Sequence, residues 1–355
     1  MQFQSTSYPQ KLKYFFHNGN ISPEIALWLY KKDVSVRPDY LVVGRNGWVF
    51  LGDRFQSVVT KSTGGYAVHE PAVFERWSSQ LKQRQDWLER NGIKSIFVIA
   101  PNKHSIYPEK SPPWLAFGLS NVTRKLVDRG VDKGVYLVDP TEAILSEKKN
   151  MGWLYNRSDT HWTFPGAFVS YGEVMLQLKD FYPDLKSLTG DDVFFTQKLI
   201  RDEGITKFLG FPKSQRGIAD RVYEYRFSTT IEKYCVSTIN EYFIWESACE
   251  ANEPLSATGD RSRAVQIDNA YALNELSVLI VEDSFGAAPA EYYNRTFTKV
   301  WHAHSSFIFT GDRLKAFVKK YKPDLVIYRI VERNLLHPIS YEFDGLSELK
   351  RSDLE

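Results

Sequence analysis

Asp159, His161 and Thr163 occupy alternate positions in the stretch YNRSDTHWTFPGA, residues 155–167, which is too irregular to run on as a helix. In extended or looped backbone, side chains two residues apart face the same side. A carboxylate and an imidazole so placed suit one task. The carboxylate accepts from one ring nitrogen and fixes the tautomer, and the other nitrogen acts as a base. A nucleophile for that base is offered by LSVLIVEDSFGA, residues 276–287. Ser284 ends a β-rich run, Gly286 follows two positions on, and a helix is expected next. A serine at such a strand-to-helix turn presents its hydroxyl and its own N–H to the same space, a nucleophile with half an oxyanion hole. Other readings of the same residues stand beside this one. An Asp-Ser pair at a strand end also serves as a helix N-cap. Asp-x-His also serves metals, but no third or fourth ligand cluster is evident, and His302 and His304 alternate on one strand as packing or surface residues.

The elements that must position these groups read as α/β. Two β-rich runs flank Arg45-Asn46-Gly47 in YLVVGRNGWVFLGD, and Asn-Gly predicts a hairpin. PAVFERWSSQLKQRQDWLERNGI carries apolar residues at helical spacing and stops at Gly92. KSIFVIAP reads as a buried strand, followed by the helix-strand pair VTRKLVDRG and VYLVDP, the helix TEAILSEKK and the amphipathic helix GAFVSYGEVMLQLKDF. The far end repeats the pattern with strands at LSVLIVEDS, TKVWHA and DLVIYRIVE and a helix at RLKAFVKKYKP. Helices alternating with short apolar strands imply a parallel sheet covered on both faces. Residues 186–270 differ: long aromatic and β-branched runs without helical period predict an antiparallel insertion beside the core. The predicted organisation is an N-terminal helical segment, 1–39, and a catalytic domain, 40–355, containing that insertion.

Open α/β sheets bind ligands at the C-terminal ends of their strands. There APNKHSIYP, DTHWT and EDSFGA should converge. Lys103 and Tyr107 follow a core strand and are expected to face the cleft, Lys103 as a contact for an acidic sugar or as a surface cap. Arg329, Glu332 and Arg333 end the last strand, as ligand contacts or as a structural salt bridge. Trp153 and Trp162, beside the dyad, are candidate platforms for a sugar ring.

Composition narrows the class of partner. With 355 residues, 43% hydrophobic and 25% charged, the chain can bury a sizeable core. A formal net charge of only +2 argues against nucleic acid as the main partner. Aromatics at 15% exceed what a core needs, and sugar C–H faces stack on such rings. The two cysteines, Cys235 and Cys249, define neither a disulfide framework nor a zinc site, and are either paired or buried thiols. No run of about 18 apolar residues occurs. The first residues lack the apolar region of a signal peptide, so the chain is expected to be cytoplasmic or to have lost a targeting segment. KLKYFFHNGNISPEIALWLYKK, basic and aromatic at both ends, is expected to dock on its own domain, with a membrane surface as the alternative.

The order VGRNGWVFLGD, IAPNKHSIYPEKSPP, SDTHWTFPGA, VEDSFG and KPDLVIYRIVERNL resembles the alginate O-acetyltransferase AlgJ/AlgX family, whose domains are SGNH-hydrolase-like and move acetyl groups onto exopolysaccharides. The resemblance spans roughly residues 40–185 and 275–336. It implies a flavodoxin-like parallel sheet flanked by helices, with Asp159 and His161 as dyad and Ser284 as nucleophile. The motif order is circularly permuted relative to ordinary SGNH hydrolases, which place the serine first. It implies O-acetylation of a polysaccharide hydroxyl through an acetyl-serine, with no bound cofactor. The acetyl donor is acetyl-CoA or a membrane partner that relays acetyl, the acceptor is a carbohydrate polymer, and the setting is periplasmic or membrane-associated. Trp162, Lys103, Tyr107 and Arg333 are the candidate substrate contacts. The chain ends soon after its last core strand, which favours AlgJ-like over AlgX-like architecture. A carbohydrate acetylesterase and a non-catalytic polysaccharide-binding protein are the rival expectations.

Overall fold

The computed structural model describes residues 21–63, 71–112, 114–116, 122–228, 235–239, 245–251, 264–308 and 311–335. The basic run before Asn20 and the tail after Leu335 lie outside the described residues.

The Asn-Gly signal forms the hairpin it predicts. Strand β1 (Leu41–Val43) pairs antiparallel with β2 (Val49–Leu51). Asn46 and Gly47 turn the chain with φ of 57° and 69°, the left-handed region that Asn and Gly enter at least cost. The helix Pro23–Tyr30 packs Leu27 and Tyr30 onto this hairpin together with Leu209, Phe211 and Ile218, while Ile25 and Trp28 remain exposed.

The strands that follow the hairpin are β3 (Lys94–Ala100), β4 (Leu137–Val138), β5 (Val193–Asp202), β6 (Ile218–Phe227), β7 (Cys235–Ile239), β8 (Trp245–Ala251), β9 (Ala264–Asp268), β10 (Asn274–Glu282), β11 (Phe297–His304) and β12 (Leu325–Val331). Among the described residues, eight of these make the central sheet. The sheet order is β4-β3-β12-β10-β11-β9-β7-β8. The first five are parallel, and β9, β7 and β8 continue the sheet antiparallel. Alternate residues face opposite layers, as the two-residue period of a strand requires. From β3, Phe97 and Ile99 join Trp77, Leu81 and Leu88 of the helix Pro71–Arg90 on one face. Ile96, Val98 and Ala100 join Tyr171, Val174 and Leu178 of the helix Phe164–Leu178 on the other.

The region expected as one antiparallel unit beside the core is divided. β5 and β6 form a separate two-stranded ribbon, whereas β7, β8 and β9 extend the main sheet past β11. This is a physical economy: β11 would otherwise present an unpaired edge of backbone N–H and C=O groups. The sheet is therefore mixed rather than wholly parallel. Cys235 and Cys249 fall on the neighbouring strands β7 and β8, and the contacts of their side chains lie outside the described residues.

Candidate active site

Ser284 leaves the C-terminal end of β10, which lies between β12 and β11 near the middle of the parallel sheet. Residues Ser284–Gly286 make a single 3-10 turn. Asp283 caps it: its Oδ1 accepts from the Phe285 N–H at 3.0 Å, and its Oδ2 accepts from Val331 N–H of the adjacent strand at 2.9 Å. The Asp-Ser pair is thus an N-cap, as one reading of the motif had it, but the capping side chain is the aspartate and the serine hydroxyl stays free of that duty. The Gly286 N–H goes to the Asp283 carbonyl. Only the N–H of Ser284, at the head of the turn, has no partner within it.

The turn also needs a glycine. A Cβ on Gly286 would stand 1.9 Å from Cδ of Glu282 and 2.1 Å from its Oε2. Glu282 cannot easily yield. Arg329 donates to its Oε2 at 2.6 Å, His302 Nδ1 lies 3.0 Å from its Oε1, and His302 Nε2 lies 2.8 Å from Asn294 Oδ1, all in the interior. Arg329 and His302 therefore support the floor of the nucleophile turn.

The dyad arrives from a tight reversal between Tyr155 and Trp162, which face each other as an isolated antiparallel bridge. Asn156 donates to the His161 carbonyl from its backbone N–H, at 3.1 Å, and from its side chain, at 3.2 Å. Arg157 and Ser158 N–H groups donate to the fully buried Asp220 carboxylate at 3.0 and 2.6 Å. Thr163 then caps the helix Phe164–Leu178. Trp162 ties this reversal to the serine turn: its Nε1–H donates to the Phe285 carbonyl at 3.0 Å, and the two rings meet edge to face.

The result brings Asp159, His161 and Ser284 into one line. His161 Nδ1 lies 2.8 Å from Asp159 Oδ2, and His161 Nε2 lies 2.9 Å from Ser284 Oγ. Ser284 is exposed, and the two dyad side chains are partly so. Burial opposes ionisation of Asp159. The hydrogen bond and charge of His161, the Thr160 N–H and the Lys103 ammonium outweigh it, and hold the carboxyl below the usual carboxylate range.

Three of the four residues expected to contact substrate lie beneath the site instead. Trp162 is buried, with its N–H spent on Phe285. Tyr107 is buried against Trp48, its hydroxyl accepts from Leu154 N–H at 2.9 Å, and burial pushes it up to about 12. Lys103 is only 1% exposed and donates solely to backbone carbonyls. The reason is common to all three: each carries a long apolar body whose polar tip finds a partner inside. Arg333 is buried as well, packed over the Phe285 ring of the serine turn at 5.5 Å and donating to Asn102 Oδ1 at 3.4 Å. Trp153, the other expected platform, is half-buried, edge-on to Trp48 with the Arg221 guanidinium over its ring. Glu332 is a half-buried acceptor for Asn102 N–H, Ser105 and Thr123. Sequence reasoning missed Asp220 and Glu282. Asp220 lies 62 residues from the backbone it holds, and nothing local marks it.

This arrangement defines a class before it defines a lineage: an α/β domain with a Ser-His-Asp line at the C-terminal ends of its parallel strands. The fold matches that of Bacillus cereus PatB1, with a TM-score of 0.61 at 14% identity over 85% of this chain and 99% of that one. It likewise matches the O-acetyltransferase domain of Pseudomonas putida AlgJ, at 0.53 and 15% identity over 88% and 96%. A third match is a DHHW family protein from Eubacterium siraeum, at 0.59 and 15% over 86% and 97%. In sequence, residues 41–233 match the family described as "SGNH hydrolase-like domain, acetyltransferase AlgX", and the chain belongs to that family. A curated relative, the probable alginate O-acetylase AlgJ of Azotobacter vinelandii, is 27% identical over 143 residues, 39% of this chain. The chain spans about a third of that relative's length. The family match includes Asp159 and His161 and stops short of Ser284, so the serine is singled out by geometry.

Proposed function

We propose that the chain is a serine-dependent O-acetyltransferase acting on a hydroxyl of a polysaccharide or oligosaccharide through an acetyl-serine at Ser284. The observation that carries this reading is the 2.9 and 2.8 Å line from Ser284 Oγ through His161 to Asp159. Membership of a family described by an acetyltransferase, and likeness to a probable alginate O-acetylase, support acetyl as the acyl group and a carbohydrate as the acceptor.

In this mechanism neutral His161 holds its Nδ1 proton toward Asp159, leaving Nε2 to take the Ser284 proton as Oγ attacks the acetyl carbonyl. The oxyanion that forms meets the Ser284 N–H at the head of the turn. Collapse expels the donor's leaving group, which takes the proton back from His161. A sugar hydroxyl then enters, gives its proton to His161, and attacks the acetyl-serine. The second collapse returns the proton to Ser284 and frees the acetylated sugar. Asp159 stays ionised throughout and balances the imidazolium. Arg333, packed on Phe285 of the serine turn, is kept as the candidate substrate contact. The donor is acetyl-CoA or a membrane partner that relays acetyl. Among the described residues no helix is long and apolar enough to cross a membrane.

Water competes at the second step. A transferase prevails only by holding the sugar in attack geometry, where effective molarities reach about 10⁵ M or more. With an aryl acetate as donor, a panel of exopolysaccharide fragments should accelerate release of the phenol, and one or more should gain mass as acetyl esters. If none captures acetyl while acetylated fragments are stripped, the protein is an esterase. If neither occurs and serine probes fail to react, the non-catalytic reading holds.

A further inference from the structure

Lys103 begins the short helix Lys103–Ile106 after β3, yet its side chain turns inward. Its Nζ lies 2.6 Å from the Val49 carbonyl, 3.0 Å from that of Arg157 and 2.9 Å from that of Asp159. The first acceptor belongs to β2, and the other two bracket the start of the dyad. The Trp48 and Phe50 rings flank the ammonium, at 4.9 and 5.1 Å from Nζ to their centroids, and favour its charged form. The same junction is held by Val49 N–H donating to the Arg157 carbonyl at 3.2 Å and by Arg157 Nε donating to the Gly47 carbonyl, also at 3.2 Å.

We propose that Lys103 is a positioning residue, a buried ammonium that clamps the segment carrying Asp159 and His161 onto the β1–β2 hairpin and so sets the carboxylate at its distance from the imidazole. This rests on the serine-dependent reading for its effect on catalysis, but not for the clamp itself. The stoichiometry is the argument: three carbonyls converge, and –NH3+ has three N–H bonds to give. A neutral amine has two, and its lone pair would face the third carbonyl.

The clamp is therefore sensitive to pH. Burial lowers the Lys103 amine to about 7, the charges of Asp220 and Asp159 partly restore it, and Arg157 opposes them. The neighbouring His104 is itself held neutral by burial, down to about 3. Loss of the lysine proton should loosen the dyad without unfolding the domain. Between about 7 and the ordinary lysine value of 10.5 the unfolded chain binds more protons than the folded one, so the contribution of this group to stability rises with pH. An alkaline loss of reactivity with no loss of melting temperature is the signature.

The test measures two quantities from about pH 6 to 9, a window spanning the lowered lysine value. One is hydrogen–deuterium exchange of the peptide 155–163, corrected for intrinsic rates. The other is the rate of fluorophosphonate labelling at Ser284. In the wild type, exchange should rise and labelling should fall on the alkaline side while the melting temperature does not fall. Lys103→Met, if folded, should exchange faster at every pH and label about tenfold more slowly at the acid end. It should also lack the alkaline fall. Should Lys103→Met not fold, the wild-type series decides alone. Exchange that ignores pH in the wild type, or a folded Lys103→Met with wild-type exchange, overturns the clamp. Exchange that responds while Ser284 is never labelled leaves the clamp in place and sinks the serine-dependent reading instead.

Discussion

Asp159 spends its two oxygens on different duties, Oδ2 facing His161 Nδ1 and Oδ1 taking the Thr160 N–H. An asparagine can keep the second bond, but no longer supplies the charge that selects the Nδ1–H tautomer and balances the imidazolium. Asp159→Asn should therefore fold normally and lose activity by roughly four decades, as in well-studied triads. Aryl acetate turnover beside a thermal melt checks this; near-full turnover would make the carboxylate a loop fastener only. At this scale the sequence was most legible where spacing is local. Asp159 and His161 face one another as the two-residue period requires, across a reversal whose bridge, Tyr155 to Trp162, no local rule announced. It was least legible for Lys103, Tyr107 and Trp162. Their chemistry suggested ligand contact, and their fate was decided by carbonyls and N–H groups dozens of residues away.

Between the elements, the nucleophile turn is fixed from three sides. Asp283 ties it to β12, Trp162 ties it to the dyad reversal, and Glu282, pinned by Arg329 and His302, fills the space under Gly286. Gly286→Ala forces a methyl into that carboxylate, and a packed polar floor yields poorly. The substitution should destabilise the domain by about 1–3 kcal/mol. It should also slow Ser284 labelling more than that loss explains, because the displaced turn carries the hydroxyl away from His161 Nε2. Urea unfolding and labelling rate on the same samples check both. Unchanged values in each would mean that the floor moves freely and positions nothing. The strands at 94–100, 274–282 and 325–331 were legible as apolar runs, and the hairpin as Asn-Gly between two such runs. The division of residues 186–270 was not. β-rich sequence tells that a strand forms, but the partner is chosen by open edges elsewhere, here the edge of β11.

In the molecule as a whole, three chain segments far apart in sequence meet at one end of the parallel strands: the end of β3, the reversal before the helix Phe164–Leu178, and the end of β10. The Ser284–His161 contact spans 123 residues. The motif order could suggest that convergence only through the general habit of α/β sheets and through likeness to a family. The distance itself was not in the sequence. The proposed reaction requires that this contact activate Ser284 to form a covalent acetyl intermediate. The most direct measurement is rapid-quench intact mass spectrometry of the protein with an aryl acetate, followed by peptide mapping. One acetyl group on Ser284, formed at a rate matching the first turnover and lost faster when an oligosaccharide acceptor is added, is the predicted result. Turnover with no acetyl on Ser284, or undiminished turnover by Ser284→Ala, would contradict it.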